Sequence, residues 1–472
     1  MRVLFTHSYF LKFYPKQWKQ MHPYAPLGTL YAASLLRKHG IEVSLRDVMF
    51  SNSPASIEYS LKTFKPEILV IYDDGFNYLT KMCLTNMRYA ALEMSNIAKD
   101  HGCIVIVCSS DAMDHFNKYL DNHADFILSG EGEQTLLELV QAIKIKETNY
   151  NEIAGIVFRD ENGVTKHTLP RKVMHYLDSL PLPAWDLIDI EQYRNAWINS
   201  EGYFSIVVST TRGCPFKCNW CAKPIYGNRY NVRSPQHVVN ELLYLKEKSG
   251  FDHVWFCDDI FGLKPGWIKE FSELVKKHNL KFRFKIQSRA DMLLKEGQIE
   301  QLQATGCDTV WIGAESGSQK ILDAMDKGIT TKQISEATRL LKQQGMQVAY
   351  FLQFGYPGET KEDIDKTLKM LYDNRPDDIG ISVSYPLPGT LFYDRVSEQL
   401  KNKANWTDSD DLTLMFKNTF DTAFYRYLHR YVHAYFRKLK AASNPVFSFK
   451  QVLKVPYYSM QEVWYKRLLN KH

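Results

Sequence analysis

Short apolar runs alternate with amphipathic helical patterns along almost the whole chain, and this alternation leaves few folds open. A short run that can be buried on both faces, followed by a helical period, is the sequence form of a parallel β-α unit. Arg2–Thr6, Ile41–Arg46, Ile68–Tyr72, Ile104–Cys108 and Phe126–Leu128 read as strands. Leu27–His39 (stopped by Gly40), Ile57–Phe64, Asn86–His101 and Asp114–Asn122 read as helices between them. Five such units within roughly 145 residues are enough for an open, doubly wound, Rossmann-like α/β sheet.

A second series begins at Tyr203. Its strands are Phe204–Ser209, His253–Cys257, Phe282–Gln287, Thr309–Ile312, Val348–Gln353 and Ile379–Ser384. Val238–Lys248, Trp267–His278, Thr331–Gln344 and Lys361–Tyr372 carry the helical period between them. Six units suggest a partial (β/α)6 barrel, with functional groups at the C-terminal strand ends. Between the two series, Glu152–Lys172 reads as a β-hairpin turning at Asn162-Gly163, and Leu177–Pro183 as a linker. The expected domains are 1–145, a hairpin and linker at 146–200, the barrel at 201–394, and a helical, aromatic and basic region at 395–472. Tyr425-Arg426-Tyr427-Leu428-His429-Arg430-Tyr431 typifies that last region.

Composition narrows the class. The 472 residues are 45% hydrophobic and 24% charged, with a net charge of only +6. That balance lacks the basic stripe expected of a nucleic-acid binder, so no nucleic-acid partner is expected. No apolar run reaches the length of a membrane span, and Met1–His7 breaks its apolar stretch too early for a signal peptide. A cytoplasmic location is expected. Eight cysteines are too few for a disulfide scaffold of this size, yet three lie within eight residues, which points to a metal or a cluster.

Those three stand in Thr211-Arg212-Gly213-Cys214-Pro215-Phe216-Lys217-Cys218-Asn219-Trp220-Cys221, directly after the first strand of the second series. Thiolates are natural ligands of Fe–S clusters, and the close spacing lets one loop wrap a cubane. Three ligands leave one iron open to a substrate or cofactor. The alternative is a zinc site or a loose thiol group, but structural zinc sites usually take four ligands in two separated pairs, and no second pair is present.

At these residues the chain resembles the radical S-adenosylmethionine (SAM) superfamily, whose CxxxCxxC motif has an aromatic before its last cysteine, the place of Trp220. The resemblance continues at the later strand ends, in Phe256-Cys257-Asp258-Asp259-Ile260-Phe261, Gln287-Ser288-Arg289-Ala290-Asp291, Gly313-Ala314-Glu315-Ser316-Gly317 and Phe354-Gly355-Tyr356-Pro357-Gly358-Glu359-Thr360. It implies that Cys214, Cys218 and Cys221 hold a [4Fe–4S] cluster, whose open iron chelates SAM and cleaves it to a 5′-deoxyadenosyl radical. It also implies a SAM-binding set of Trp220, Asp258, Asp259, Ser288, Arg289, Glu315 and Gln353. In that set Arg289 suits the SAM carboxylate, and Glu315 its hydroxyls or amino group. The competing reading of Arg289, Glu315 and the aspartates is structural ion pairing. Cys257 and Cys307 read as small buried hydrophobes.

The first domain resembles the cobalamin-binding module that precedes the barrel in one large subfamily. The matching pieces are Pro26-Leu27-Gly28-Thr29-Leu30-Tyr31-Ala32-Ala33 and Asp125-Phe126-Ile127-Leu128-Ser129-Gly130-Glu131-Gly132-Glu133-Gln134-Thr135. By that resemblance Tyr72, Ser109, Ser110, Ser129 and Glu131 surround a corrin at the C-terminal sheet edge. The DxHxxG histidine loop of many cobalamin modules is absent. Asp121-Asn122-His123 lacks the glycine and stands before the fifth strand, and His7 reads better as a loop histidine in an ordinary hydrogen bond. No G-x-G-x-x-G supports a dinucleotide site.

The resemblance implies an enzyme acting on an unactivated carbon of a small or lipid-like molecule, with an external one-electron reductant such as flavodoxin or ferredoxin. Methyl transfer leads, and ring closure or rearrangement on the same scaffold is the alternative. A methylthiotransferase needs three further cysteine ligands, for which Cys83, Cys103 and Cys108 are unsuitably placed. A non-catalytic cobalamin sensor or electron carrier fits poorly with an open iron. The C-terminal region reads as helices packed on the barrel, with docking onto a membrane or carrier protein as the alternative.

Overall fold

The computed structural model describes residues 1–82, 84–221, 223, 225–400, 404–442 and 449–469. The chain forms two compact units, one of Met1–Pro215, Lys223–Asp258 and Asn405–Asp411, the other of Phe216–Ala222, Asp259–Ala404 and Leu412–His472.

Seven strands build the sheet of the first unit: β1 (Arg2–Thr6), β2 (Glu42–Leu45), β3 (Ile68–Tyr72), β4 (Ile104–Cys108), β5 (Phe126–Leu128), β6 (Ile156–Arg159) and β7 (Thr165–His167). Their order is β2-β1-β3-β4-β5-β6-β7. The first five are parallel, as a doubly wound fold requires. Every residue of β3 is buried, because helices cover both of its faces. Leu4, Leu69, Val105, Ile71, Val107 and Ile127 are register partners across four strands and form one continuous face of the core.

The expected hairpin is present, with Gly163 at φ 75° in its turn, and it does more than connect. β6 pairs antiparallel with β5, so the hairpin extends the sheet and covers its edge. The expected helix at Asp114–Asn122 is instead two short turns, Ser110–Asp114 and Phe116–Leu120. The Ser109 hydroxyl caps the first by accepting from the Ala112 N–H at 2.9 Å, and His115 leaves the helical region between them.

A second sheet joins β8 (Ser205–Val208), β11 (His253–Phe256), β12 (Arg283–Ser288), β13 (Cys307–Glu315), β14 (Gln347–Phe354) and β15 (Asp378–Val383) in the order β15-β14-β13-β12-β11-β8, a six-stranded half-barrel. A two-residue antiparallel ladder of β9 (Thr211–Arg212) and β10 (Asn231–Val232) closes the base of the cysteine-bearing loop, a feature with no periodic signal in the sequence. The helices Thr422–Ala442 and Phe449–Leu469 end the chain as an antiparallel pair. Among the described residues no helix is long and apolar enough to cross a membrane.

Candidate active site

The cysteine loop begins with a backbone constraint. Gly213 has φ +80°, and a Cβ there would stand 2.4 Å from the Arg229 carbonyl oxygen, so only glycine fits. Cys214 is buried, while Cys218 and Cys221 are partly exposed, and none is in a disulfide. Asn219 fixes the loop within the second unit. Its amide donates to the Ala324 carbonyl (2.8 Å) and the Asp326 carboxylate (2.7 Å), and its oxygen accepts from the Tyr356 hydroxyl (2.8 Å). Trp220 packs against the cluster of Ile321, Met325, Tyr356, Phe392, Val396 and Phe416.

Cations face this loop. The Arg289 guanidinium lies 3.7 Å over the Phe216 ring, with Nη1 3.9 Å from Cys218 Sγ. Its remaining N–H groups are held by Asp291 (3.0 and 3.2 Å), the Lys327 carbonyl (2.8 Å) and the Gly328 carbonyl (3.3 Å). Arg289 is therefore a buried, oriented cation already paired with Asp291. A carboxylate ligand would have to share or displace that partner.

Lys327 stands with it. Its ammonium is 2.7 Å from Glu315 Oε1 and 5.9 Å from the Trp220 ring. Burial works against its charge, but the fields of Glu315 and Cys218 outweigh burial and raise its pKa. Glu315 is held at φ 56° beside a register shift at the end of β13. Left-handed backbone at a non-glycine residue costs about 1–3 kcal/mol and points to a functional constraint. Sequence reasoning missed Lys327 and Asn219, because their partners are distant in the chain. Ser288 is buried at the end of β12, and Gln353 donates to Ser384 Oγ at 2.9 Å.

The two aspartates differ. Asp258 is buried and accepts from the backbone N–H groups of Thr210 (2.7 Å) and Thr211 (2.8 Å) and from the Thr210 hydroxyl (2.5 Å). It thus ties the end of β11 to the start of the cysteine loop, and burial raises its pKa to about 6. Asp259 is exposed.

At the C-terminal edge of the first sheet, the side chains of Ser109 and Glu131 have partners within the protein. Ser109 caps its helix, Ser110 is buried, and Ser129 is half-buried, its backbone N–H donating to Gly155 O at 2.8 Å. Tyr72 lies against Gly132, where a Cβ would come within 2.9 Å of its hydroxyl. Glu131 pairs with Arg212 (2.8 Å) and accepts from the Met174 N–H. The same arginine pairs with Glu133 (2.7 Å) and lies over Tyr31, Phe76 and Tyr226. His7 bonds Asp47 at 2.9 Å, the ordinary loop hydrogen bond its position suggested. Cys103 and Cys108 are buried, and Cys83 lies outside the described residues.

The donor chemistry fits the expected groups. Three thiols share one loop, and beside them the Trp220 Nε1–H is buried with no hydrogen-bond partner within the protein. An acceptor brought in by a bound group would satisfy it. Among the described residues no three Cys, His, Asp or Glu side chains are already grouped as metal ligands. At the first sheet, the hydroxyls of Tyr9, Tyr14 and Tyr31 are likewise buried and unpartnered. Beside them a cavity of about 10 Å³, lined by His7, Tyr9, Tyr24, Asp73, Asp74 and Thr80 among others, has room for about one water.

Comparison with known proteins agrees with this arrangement. Residues 208–371 match the radical SAM superfamily. The chain is 29% identical to an uncharacterised methyltransferase of Pyrococcus horikoshii, over 81% of this chain and 80% of that protein. It is 25% identical to an anaerobic magnesium-protoporphyrin IX monomethyl ester cyclase of Synechocystis, over 79% and 73%. Its fold matches that of the cobalamin-dependent S-adenosylmethionine radical enzyme OxsB with aqua-cobalamin bound, at a TM-score of 0.75 and 19% identity, covering 99% of this chain and 72% of that one. Residues 208–371 thus carry a radical SAM domain, and the chain as a whole has the fold of a cobalamin-dependent radical SAM enzyme.

Proposed function

We propose that this enzyme transfers a methyl group to an unactivated carbon of a small or lipid-like substrate. The observation that carries the reading is the three-cysteine loop, with Arg289 and the Lys327–Glu315 pair packed beside Phe216, Cys218 and Trp220. When bound, the [4Fe–4S] cluster and SAM supply a 5′-deoxyadenosyl radical, and cobalamin supplies a transferable methyl group. Cys214, Cys218 and Cys221 would be the thiolate ligands, and Asn219 holds their loop in place. Arg289 and Lys327 offset negative charge at the loop in a buried setting where such charges count most. Glu315 keeps one oxygen on Lys327 and offers the other to a hydroxyl or ammonium donor. The aromatic packing around Trp220 keeps water from a site that must shelter a radical.

Methyl transfer is favoured by the methyltransferase relative, and ring closure by the cyclase relative. The electron would come from an external reductant of the flavodoxin or ferredoxin kind. The test is anaerobic reconstitution with all three cofactors and SAM deuterated in its methyl group, incubated with fractionated small molecules and lipids. Methyl transfer yields 5′-deoxyadenosine, S-adenosylhomocysteine and a product carrying the label. Formation of 5′-deoxyadenosine with an unlabelled, rearranged product and no S-adenosylhomocysteine would replace this reading with the cyclase one.

A further inference from the structure

The two C-terminal helices carry a charge that the chemistry above leaves unused. Residues 422–469 hold nine Lys or Arg and one Glu, a net +8, so the rest of a chain whose total is +6 is −2. Such segregation calls for an anionic partner.

The helix Thr422–Ala442 is conventionally amphipathic. It buries Phe424, Leu428, Val432, Phe436 and Leu439, while Arg426, Arg430, Arg437 and Lys440 are exposed. Phe449–Leu469 is turned the other way. Its Glu462 is paired with Lys438 of the neighbouring helix at 2.8 Å, while Tyr457 (57% exposed), Met460 (73%), Val463 (52%) and Trp464 (56%) look outward. Their spacing places all four on one helix face, with Arg467 exposed among them and Lys466 exposed at its margin. A helix that pairs its acid inward and presents an apolar stripe to solvent is complete only against a partner.

We propose that this face docks in the plane of an anionic lipid bilayer surface. Trp, Tyr, Met and Val would enter the headgroup–acyl boundary, and the surrounding Lys and Arg would meet the headgroup charge. A second copy of the chain would bring another +8 against this one, which disfavours self-pairing. A nucleic acid would leave the apolar stripe uncovered, since phosphate is bound by donors and cations. Because no described helix can span a bilayer, the attachment is peripheral. It stands apart from the methyl-transfer reading and is tested by binding alone.

The full-length chain is floated with vesicles of phosphatidylcholine alone and of phosphatidylcholine mixed with phosphatidylglycerol. Flotation is expected only with the mixed vesicles, and it should weaken as salt is raised. Met460→Ser with Trp464→Ser should lower the apparent affinity at least about tenfold, with an unchanged thermal midpoint because both side chains are exposed. In the wild type, brominated lipid should quench tryptophan fluorescence, and Trp464→Phe should lose much of that quenching while still floating. Three outcomes overturn the proposal: no flotation with anionic vesicles, equal flotation of the double variant, or a dimer in solution that the double variant abolishes.

Discussion

Lys327 and Glu315 show what a single buried ion pair commits a site to. Each is almost wholly buried, and each is tolerable only because the other is 2.7 Å away. Lys327→Met should therefore destabilise the chain by about 3–5 kcal/mol, since it strands the Glu315 carboxylate. Adding Glu315→Gln should recover part of that loss, and urea unfolding of the four chains of the cycle measures the coupling. Asp74 is the opposite case. It accepts from the N–H groups of Gly28 (3.2 Å) and Phe76 (3.0 Å), yet burial raises its pKa to about 6. An acid whose pKa rises on folding binds its proton more tightly in the folded chain, so stability falls as pH climbs from about 4 to about 6 and stays lowered above. Asp74→Asn keeps the accepting oxygen and removes the charge. It should raise stability by about 1–3 kcal/mol at about pH 8 and leave it unchanged below about pH 4, read from urea midpoints across that range.

At the scale of elements, the cysteine loop depends on a short ladder and one glycine. Gly213→Ala places a methyl group 2.4 Å from the Arg229 carbonyl at a φ of +80°, so the β9–β10 closure must shift. The expected cost is about 1–3 kcal/mol, with less iron retained per chain after reconstitution and desalting. Iron retention equal to wild type would show that the loop tolerates a different closure. Cys214→Ala, Cys218→Ala and Cys221→Ala together should abolish the visible charge-transfer absorbance while leaving the far-ultraviolet circular dichroism in place, because thiolates are the ligands. Most strands and helices were legible in the sequence, since apolar runs and helical periods are local signals. The β9–β10 ladder and the break at His115 were not. Two paired residues carry no periodicity, and the break depends on the Ser109 cap and the tertiary setting of Asp111.

For the molecule as a whole, the loops after β1 and β3 line a cavity of only about 10 Å³. A corrin is far larger than a space for about one water, so one that entered this cavity would move the loops after β1 and β3. Amide hydrogen exchange should change on cobalamin binding in residues 9–31 and 73–82, and hardly at all in the core strands β3 and β4. Binding with no change in those loops would place the corrin elsewhere.

The sequence alone determined the order of elements, the two series of parallel strands and the loop that bears the cysteines, because each is written in neighbouring residues. Tertiary structure decided which polar groups remain available. Arg212 takes up Glu131 and Glu133 from some eighty positions away, Thr210 and Thr211 take up Asp258, and Asp291 takes up Arg289. Only folding shows that Lys327 belongs beside Glu315 and Cys218. The reason is physical: periodicity is set by backbone geometry within a few residues, whereas a buried charge is settled by whichever partner the fold brings within hydrogen-bond reach.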